Sequence, residues 1–238
     1  MFPRGLWQGE QCFIFGGGAS LTAEIAERVR GRKTIVINST CTITPWADVL
    51  FFHDYPWFRD HRALVETWPG IVITSSRRAY MAKTRAEKYW VQPPTIQAKP
   101  LSSGHHAVDV AIGLGCTSIV LLGYDCRLVD GRSHNHTHYD HREGGLYAEK
   151  FLPAWVEYPA RVKAAGVSVL NATPGSAVDV FPQISLDRIL DDSTESSPKT
   201  NSAPETAISG AGKFGSVCAS PDRPLAGPVT STPTEGAA

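Results

Sequence analysis

The stretch Ser133-His134-Asn135-His136-Thr137-His138-Tyr139-Asp140-His141 holds four of the chain's eight histidines. Imidazoles spaced His-x-His can give two nitrogens to one metal, and Asp140 would add an oxygen. The same rings move protons near neutral pH, or face phosphate when charged. A solvated polar loop has the same composition. A second group consists of polar residues that each close a short apolar run: Asn38, His53 with Asp54, Asp125, and Asn171. Carboxylates placed like Asp54 and Asp125 can hold a magnesium ion through their oxygens or take a proton from a hydroxyl. Asn and Asp are also common turn formers at any strand end.

A third signal is Gly16-Gly17-Gly18-Ala19-Ser20-Leu21, directly after Cys12–Phe15. Glycines let the backbone approach a ligand, and a following helix N-terminus turns N–H groups toward an anion. Ser20 would cap that helix or donate to a phosphate. The spacing is not a full GxGxxG, and Asn38 stands where a dinucleotide site needs an acidic ribose partner. The loop therefore points to a nucleotide or phosphate rather than to a hydride carrier. Ser103-Gly104 opens a later helix and offers a second N–H cluster to an anion, with His105 and His106 beside it. Ser102 or Ser103 would equally serve as its cap. Arg77 and Arg78 would clamp a phosphate or lie at the surface. There is no GxSxG elbow and no Walker A motif.

These residues need a scaffold that gathers strand ends. Apolar runs predict strands at 12–15, 34–38, 48–52, 71–74, 88–91, 118–122 and 167–171. Helical spacing predicts helices over 21–29, 56–68, 103–114 and 146–165, the third stopped by Gly115 and the fourth kinked at Pro153 and Pro159. Continuous apolar strands alternating with helices imply a parallel sheet covered on both faces. With right-handed crossovers this is an α/β, Rossmann-like three-layer sandwich with a mostly parallel sheet. Its strand ends face one crevice.

The 238 residues carry 23 basic and 23 acidic side chains, a net charge of zero. A protein held on nucleic acid by bulk charge would be basic. Residues 191–238 contain 14 Ser or Thr, six Pro and five Gly against five large apolar residues. That segment cannot bury enough apolar surface to offset its ordering entropy and is expected to be a disordered tail. The domain is then residues 1–190, with a net charge of about +3, from 20 basic and 17 acidic residues. No run of 18 apolar residues predicts a membrane span, and the N-terminus lacks an apolar signal core. Five cysteines at irregular spacing without a CxxC fit a reducing, cytoplasmic setting.

Taken in order, these motifs resemble the 6-hydroxymethylpterin pyrophosphokinase-like superfamily, which also takes in motility-accessory glycosyltransferases. The opening is similar to that of bacterial sialyltransferases. A phage and prophage branch resembles the chain most fully. It is matched by Ala47 to Trp57, by Ser103-Gly104 through Gly115, by Leu121-Leu122-Gly123-Tyr124-Asp125, by His136, Asp140 and His141, and by Asn171 to Pro182. The resemblance covers residues 10–190 and implies a nucleotide at the glycine-rich edge. Archaeal members move pyrophosphate from ATP to a pterin alcohol with Mg2+, and other relatives move sugars from CMP-sugar donors. The expected function is a phage-type nucleotide-dependent transferase acting on a small hydroxyl acceptor. Gly16, Gly17, Gly18, Ser20, Asn38, Ser103 and Gly104 would hold the nucleotide. Asp54 and Asp125 would hold Mg2+ or act as base, and His136 and His141 would steady the leaving phosphate or deliver a proton. The alternatives are a non-catalytic phage accessory or morphogenesis protein with phage protein partners, and a metal-dependent hydrolase built on the histidine loop.

Overall fold

In a computed structural model of the chain, the described residues are 2–84, 87–91, 102–137, 145 and 147–195. Seven strands, β1 (Gln11–Phe15), β2 (Lys33–Ile37), β3 (Val49–Phe52), β4 (Ile71–Thr74), β5 (Lys88–Trp90), β6 (Ser118–Leu122) and β7 (Ser168–Asn171), form one sheet in the order β5-β4-β3-β2-β1-β6-β7. Every strand pairing is parallel. The helices are α1 (Ala23–Glu27), α2 (Tyr55–Asp60), α3 (Arg62–Glu66), α4 (Arg77–Met81), α5 (Ser103–Leu114), α6 (Leu152–Trp155), α7 (Tyr158–Ala164) and α8 (Leu186–Glu195).

Alternate residues of each strand point to opposite faces, and both faces are apolar. Ile14, Ile35, Val49, Phe51 and Leu121 pack under Val108, Ala111 and Leu114 of α5 and Tyr158 and Val162 of α7. Phe13, Phe15, Val36, Leu50 and Phe52 pack under Ala26 of α1, Trp57 and Phe58 of α2, Val65 of α3, Ala79 of α4 and Leu186 and Ile189 of α8. This is the three-layer α/β sandwich expected from the apolar runs.

The chain lays down β1 to β5 in one direction, then crosses to the other side of β1 for β6 and β7. The strand order thus reverses beside β1, and the carboxyl ends of the strands there are where an open α/β sheet forms its crevice.

Local differences from the sequence reading have physical causes. Thr22, not Ser20, caps α1: its Oγ1 accepts the Ile25 N–H at 3.3 Å. The expected single helix over 56–68 is two helices, because the chain leaves helical geometry at His61 (φ −113°, ψ 21°). There the His61 ring stacks on Trp57 with centroids 4.6 Å apart. The expected helix over 146–165 is a π-helical turn, Tyr147–Phe151, followed by α6 and α7. Pro153 and Pro159 each sit in the first turn of a new segment, where a missing N–H costs nothing. Helices α4 and α8 were not expected, and α8 runs through the anticipated tail boundary at 190–191. Residues 196–238, most of that tail, lie outside the described residues. Among the described residues no helix is long and apolar enough to cross a membrane.

Candidate functional site

A cavity of about 460 Å3 lies at this crevice, and its walls come from the ends of β1, β2, β3 and β6, the start of α5 and the histidine loop. Gly16, Gly17, Gly18, Asn38, Asp54, Ser103, Gly104, Asp125 and His136 all line it, as do His53 and His134.

The three glycines differ in what they do. The loop after β1 crosses the loop after β6 at close range, with the Gly18 N–H on the Gly123 carbonyl at 2.8 Å. A Cβ on Gly16 would lie 2.5 Å from that carbonyl oxygen, and a Cβ on Gly18 would meet it at the same distance. Glycine at 16 and 18 is thus required by backbone packing. A Cβ on Gly17 would find only ordinary contacts, His134 Nδ1 and Thr40 Oγ1 at 3.8 Å. Gly17 is the position where the backbone faces open cavity. Ser20 is not among the lining residues, and its N–H is bonded to Asp125 Oδ2 at 3.2 Å.

Asp125 is 1% exposed. One oxygen holds Ser20, and Oδ1 is buried with no hydrogen-bond partner among the described residues. Burial pushes its carboxyl up from the usual range, and the Ser20 bonds and the Arg127 charge offset this only in part. Asn38, also in the cavity lining, stands in the left-handed region at φ 50°, where Asn is tolerated better than most residues. Its Nδ2 donates to Ser103 Oγ at 3.4 Å, and its Oδ1 is likewise buried without a partner among the described residues.

The start of α5 forms another wall. Ser102, Ser103 and Gly104 line the cavity, and the Tyr124 hydroxyl donates to the Gly104 carbonyl at 3.2 Å. The two histidines that follow are buried rather than exposed to a ligand. His105 Nδ1 accepts the Ser102 N–H at 3.1 Å, closing the helix end, and its ring stacks on Trp155 with centroids 3.9 Å apart. Burial and the neighbouring His106 push His105 down to about 3.

The histidine loop is fastened to the glycine loop by Asn135, whose N–H donates to the Gly17 carbonyl at 3.0 Å. Its side-chain Nδ2 also reaches the Gly16 carbonyl at 3.4 Å, and Thr40 Oγ1 donates to that carbonyl at 3.1 Å. The rings of His134 and His136 stack in parallel, with centroids 5.1 Å apart. His138, Asp140 and the predicted site residue His141 lie outside the described residues. Among the described residues no group of three His, Cys, Asp or Glu side chains is placed to hold a metal. Asp54 and Asp125 both line the cavity, and Asp125 spends one oxygen on Ser20.

Other strand-end residues do not reach this cavity. Asn171 instead secures the turn after β7, with its Nδ2 on the Val178 carbonyl at 2.9 Å and its Oδ1 accepting the Thr173 N–H. Arg78 packs over the Tyr55 ring at 4.0 Å, and neither it nor Arg77 lines the cavity. Thr40, Tyr124, Trp57, Asn135 and the aromatic pair Tyr147 and Phe151 were not singled out from sequence. Of these, Trp57 and Tyr124 stood inside motifs of the resemblance without a role of their own, and Asn135 stood between two loop histidines.

No family model and no curated protein matches the chain. Among solved structures, the chain is similar to the sialyltransferase CstII of Campylobacter jejuni, solved in complex with a substrate analogue, cytidine-5'-monophosphate. The identity is 13%, the TM-score is 0.48, and the match covers 75% of this chain and 86% of that one.

Proposed function

We propose that the cavity binds a nucleotide-activated donor and that the protein transfers the activated group, a sugar on a nucleoside monophosphate, to a small hydroxyl acceptor. The observation that carries this reading is a cavity at the switch point of the sheet, walled by the polar strand-end residues Asn38 and Asp125 and by the start of α5. Polar strand-end groups on a cavity wall suit a ligand rich in hydroxyl or amino donors. A ribose, a sugar and a nucleobase amino group all supply such donors. Trp57, Tyr124, Tyr147 and Phe151 add apolar surface for a base.

Glycosyl transfer fits this wall better than pyrophosphoryl transfer. A triphosphate donor needs fixed cations or metal to offset its charge. The described lining residues include no Lys or Arg. A leaving nucleoside monophosphate asks for less, and N–H donors at Ser103 and Gly104 together with His134 and His136 suit it.

A thermal-shift panel of ATP, GTP, CTP, CMP and CMP-sugars, each with and without Mg2+, tests the reading. Ligand at about 100 times its Kd adds about 2.7 kcal/mol, a shift of a few degrees for a domain of this size. The expected result is stabilisation by a nucleoside monophosphate or its sugar without Mg2+. No shift with any member would refute the reading, and a shift seen only with a triphosphate and Mg2+ would replace it by pyrophosphoryl transfer.

A further inference from the structure

His53 belongs to a hydrogen-bonded chain that leads away from the cavity wall. Its Nδ1 lies 2.7 Å from Ser75 Oγ, and the same oxygen lies 3.2 Å from His106 Nδ1. The two rings meet edge to face with centroids 4.7 Å apart at 88°. Ser75 and His106 are each 4% exposed, whereas His53 lines the cavity. The three residues come from the loop after β3, the loop after β4 and the first turn of α5.

A serine hydroxyl has a single proton. Placed between two imidazole Nδ1 atoms, it can donate to only one of them, and where it does so and accepts an N–H from the other, the two rings hold opposite Nδ1 states. His106 stays neutral, because burial and the adjacent His53 push it down to about 4. In the arrangement that frees the cavity-lining ring, Ser75 donates to Nδ1 of a neutral His106 and its Oγ accepts the Nδ1–H of His53. The free nitrogen of His53 is then Nε2, with a lone pair.

We propose that His53 takes the proton from the acceptor hydroxyl, and that Ser75 and His106 are positioning residues that fix its ring and tautomer. The proposal rests on the transferase reading above. In the step, the hydroxyl proton passes to His53 Nε2 and the hydroxyl oxygen bonds to the sugar carbon of the donor. The bond from that carbon to the phosphate oxygen breaks, and the nucleotide leaves with the electron pair. The His53 imidazolium keeps its Nδ1–H on Ser75, and Ser75 keeps its proton on His106. Asp54 and Asp60 from the segment after β3, Asp125 from the loop after β6, and His134 and His136 line the same cavity and share its field.

Long-range 1H–15N NMR on the full chain, labelled at histidine and free of ligand at neutral pH, tests the chain directly. The expected result is a protonated Nδ1 and bare Nε2 on His53, the reverse on His106, and loss of this ordering in Ser75→Ala. Equal tautomers, the opposite assignment, or spectra unchanged by Ser75→Ala would overturn the relay. In donor turnover, Ser75→Ala should lower kcat about tenfold or more with donor KM within about threefold, and Ser75→Thr should recover part of it. His53→Ala should cost about 10²-fold or more. An unchanged kcat in both Ser75→Ala and His53→Ala would overturn the proposal. A wild-type chain that binds no nucleotide would instead remove the transferase reading, and the NMR result would still decide the relay.

Discussion

Asp125 and Gly18 compete for one space: a Cβ built on Gly18 would stand 2.8 Å from Asp125 Cγ and 2.5 Å from the Gly123 carbonyl oxygen. The glycine loop is therefore shaped around a carboxylate of the protein itself. The Ser20 N–H that an anion would have used is already bonded to that carboxylate. Asp125 and the loop form one structural unit, and Gly17 alone of the three glycines faces the cavity without a close neighbour.

Gly18→Ala should then be destabilising through crowding alone, because the neighbours are backbone and a buried carboxylate. Overpacking of this kind costs about 1–3 kcal/mol. Gly17→Ala should stay within about 0.5 kcal/mol of wild type, a surface-like effect. Urea denaturation of both variants reads the difference, and equal losses would show that the two glycines are not distinct.

Asp125→Asn should separate stability from binding. The folded carboxyl titrates above its unfolded value, so the native state binds its proton more tightly. The resulting penalty is absent below about pH 4 and grows as pH rises through the folded pKa. Asn carries no charge, so the variant should be at least as stable as wild type at neutral pH, with any advantage shrinking toward pH 4. It should also bind ligand roughly tenfold or more weakly, since a hydrogen bond to a charged acceptor contributes about 1.5–3 kcal/mol. Denaturation curves at several pH values together with a ligand titration check both parts.

His105 and His106 give the fold a sensitivity to mild acid. Both titrate below their unfolded value of about 6.5, at about 3 and about 4. Their contribution is complete above pH 6.5 and is lost as pH falls toward the folded values. For His105 the loss between pH 7 and pH 4 is at most about 3 kcal/mol. His105→Gln keeps an acceptor for the Ser102 N–H, as in a capping box, and removes the titration. Its stability should fall less steeply between pH 6.5 and 4 than that of wild type, and parallel curves would contradict the assignment.

Much of the sheet was legible because fully buried parallel strands leave a signature in any one sequence. Ile71–Thr74 and Ser118–Leu122 match their apolar runs residue for residue. Ser103–Leu114 ends at Gly115 in the left-handed region at φ 97°, a stop that composition alone suggests. The break at His61, where the ring stacks on Trp57, was not legible because no glycine or proline marks it. Helix α8 was obscured by its polar surroundings, although Leu186 and Ile189 reach the core. In the site, Asn38, His53, Asp54 and Asp125 were found because strand ends of a parallel sheet must converge. What stayed hidden depends on distant pairs: Ser20 with Asp125, Asn135 with the glycine loop, and Ser75 between two histidines. Such contacts join residues 22 to 119 positions apart and leave no local pattern.

The central claim, a nucleotide-activated donor bound in the cavity that Gly17 lines, is tested most directly by calorimetric titration of wild type and Gly17→Val with nucleoside monophosphates and their sugar derivatives. The valine side chain would extend into the cavity while the loop keeps its Gly16 and Gly18 contacts. The account predicts saturable binding to wild type without Mg2+ and at least about tenfold weaker binding to Gly17→Val. Absence of binding to wild type, or equal binding to both, would contradict it.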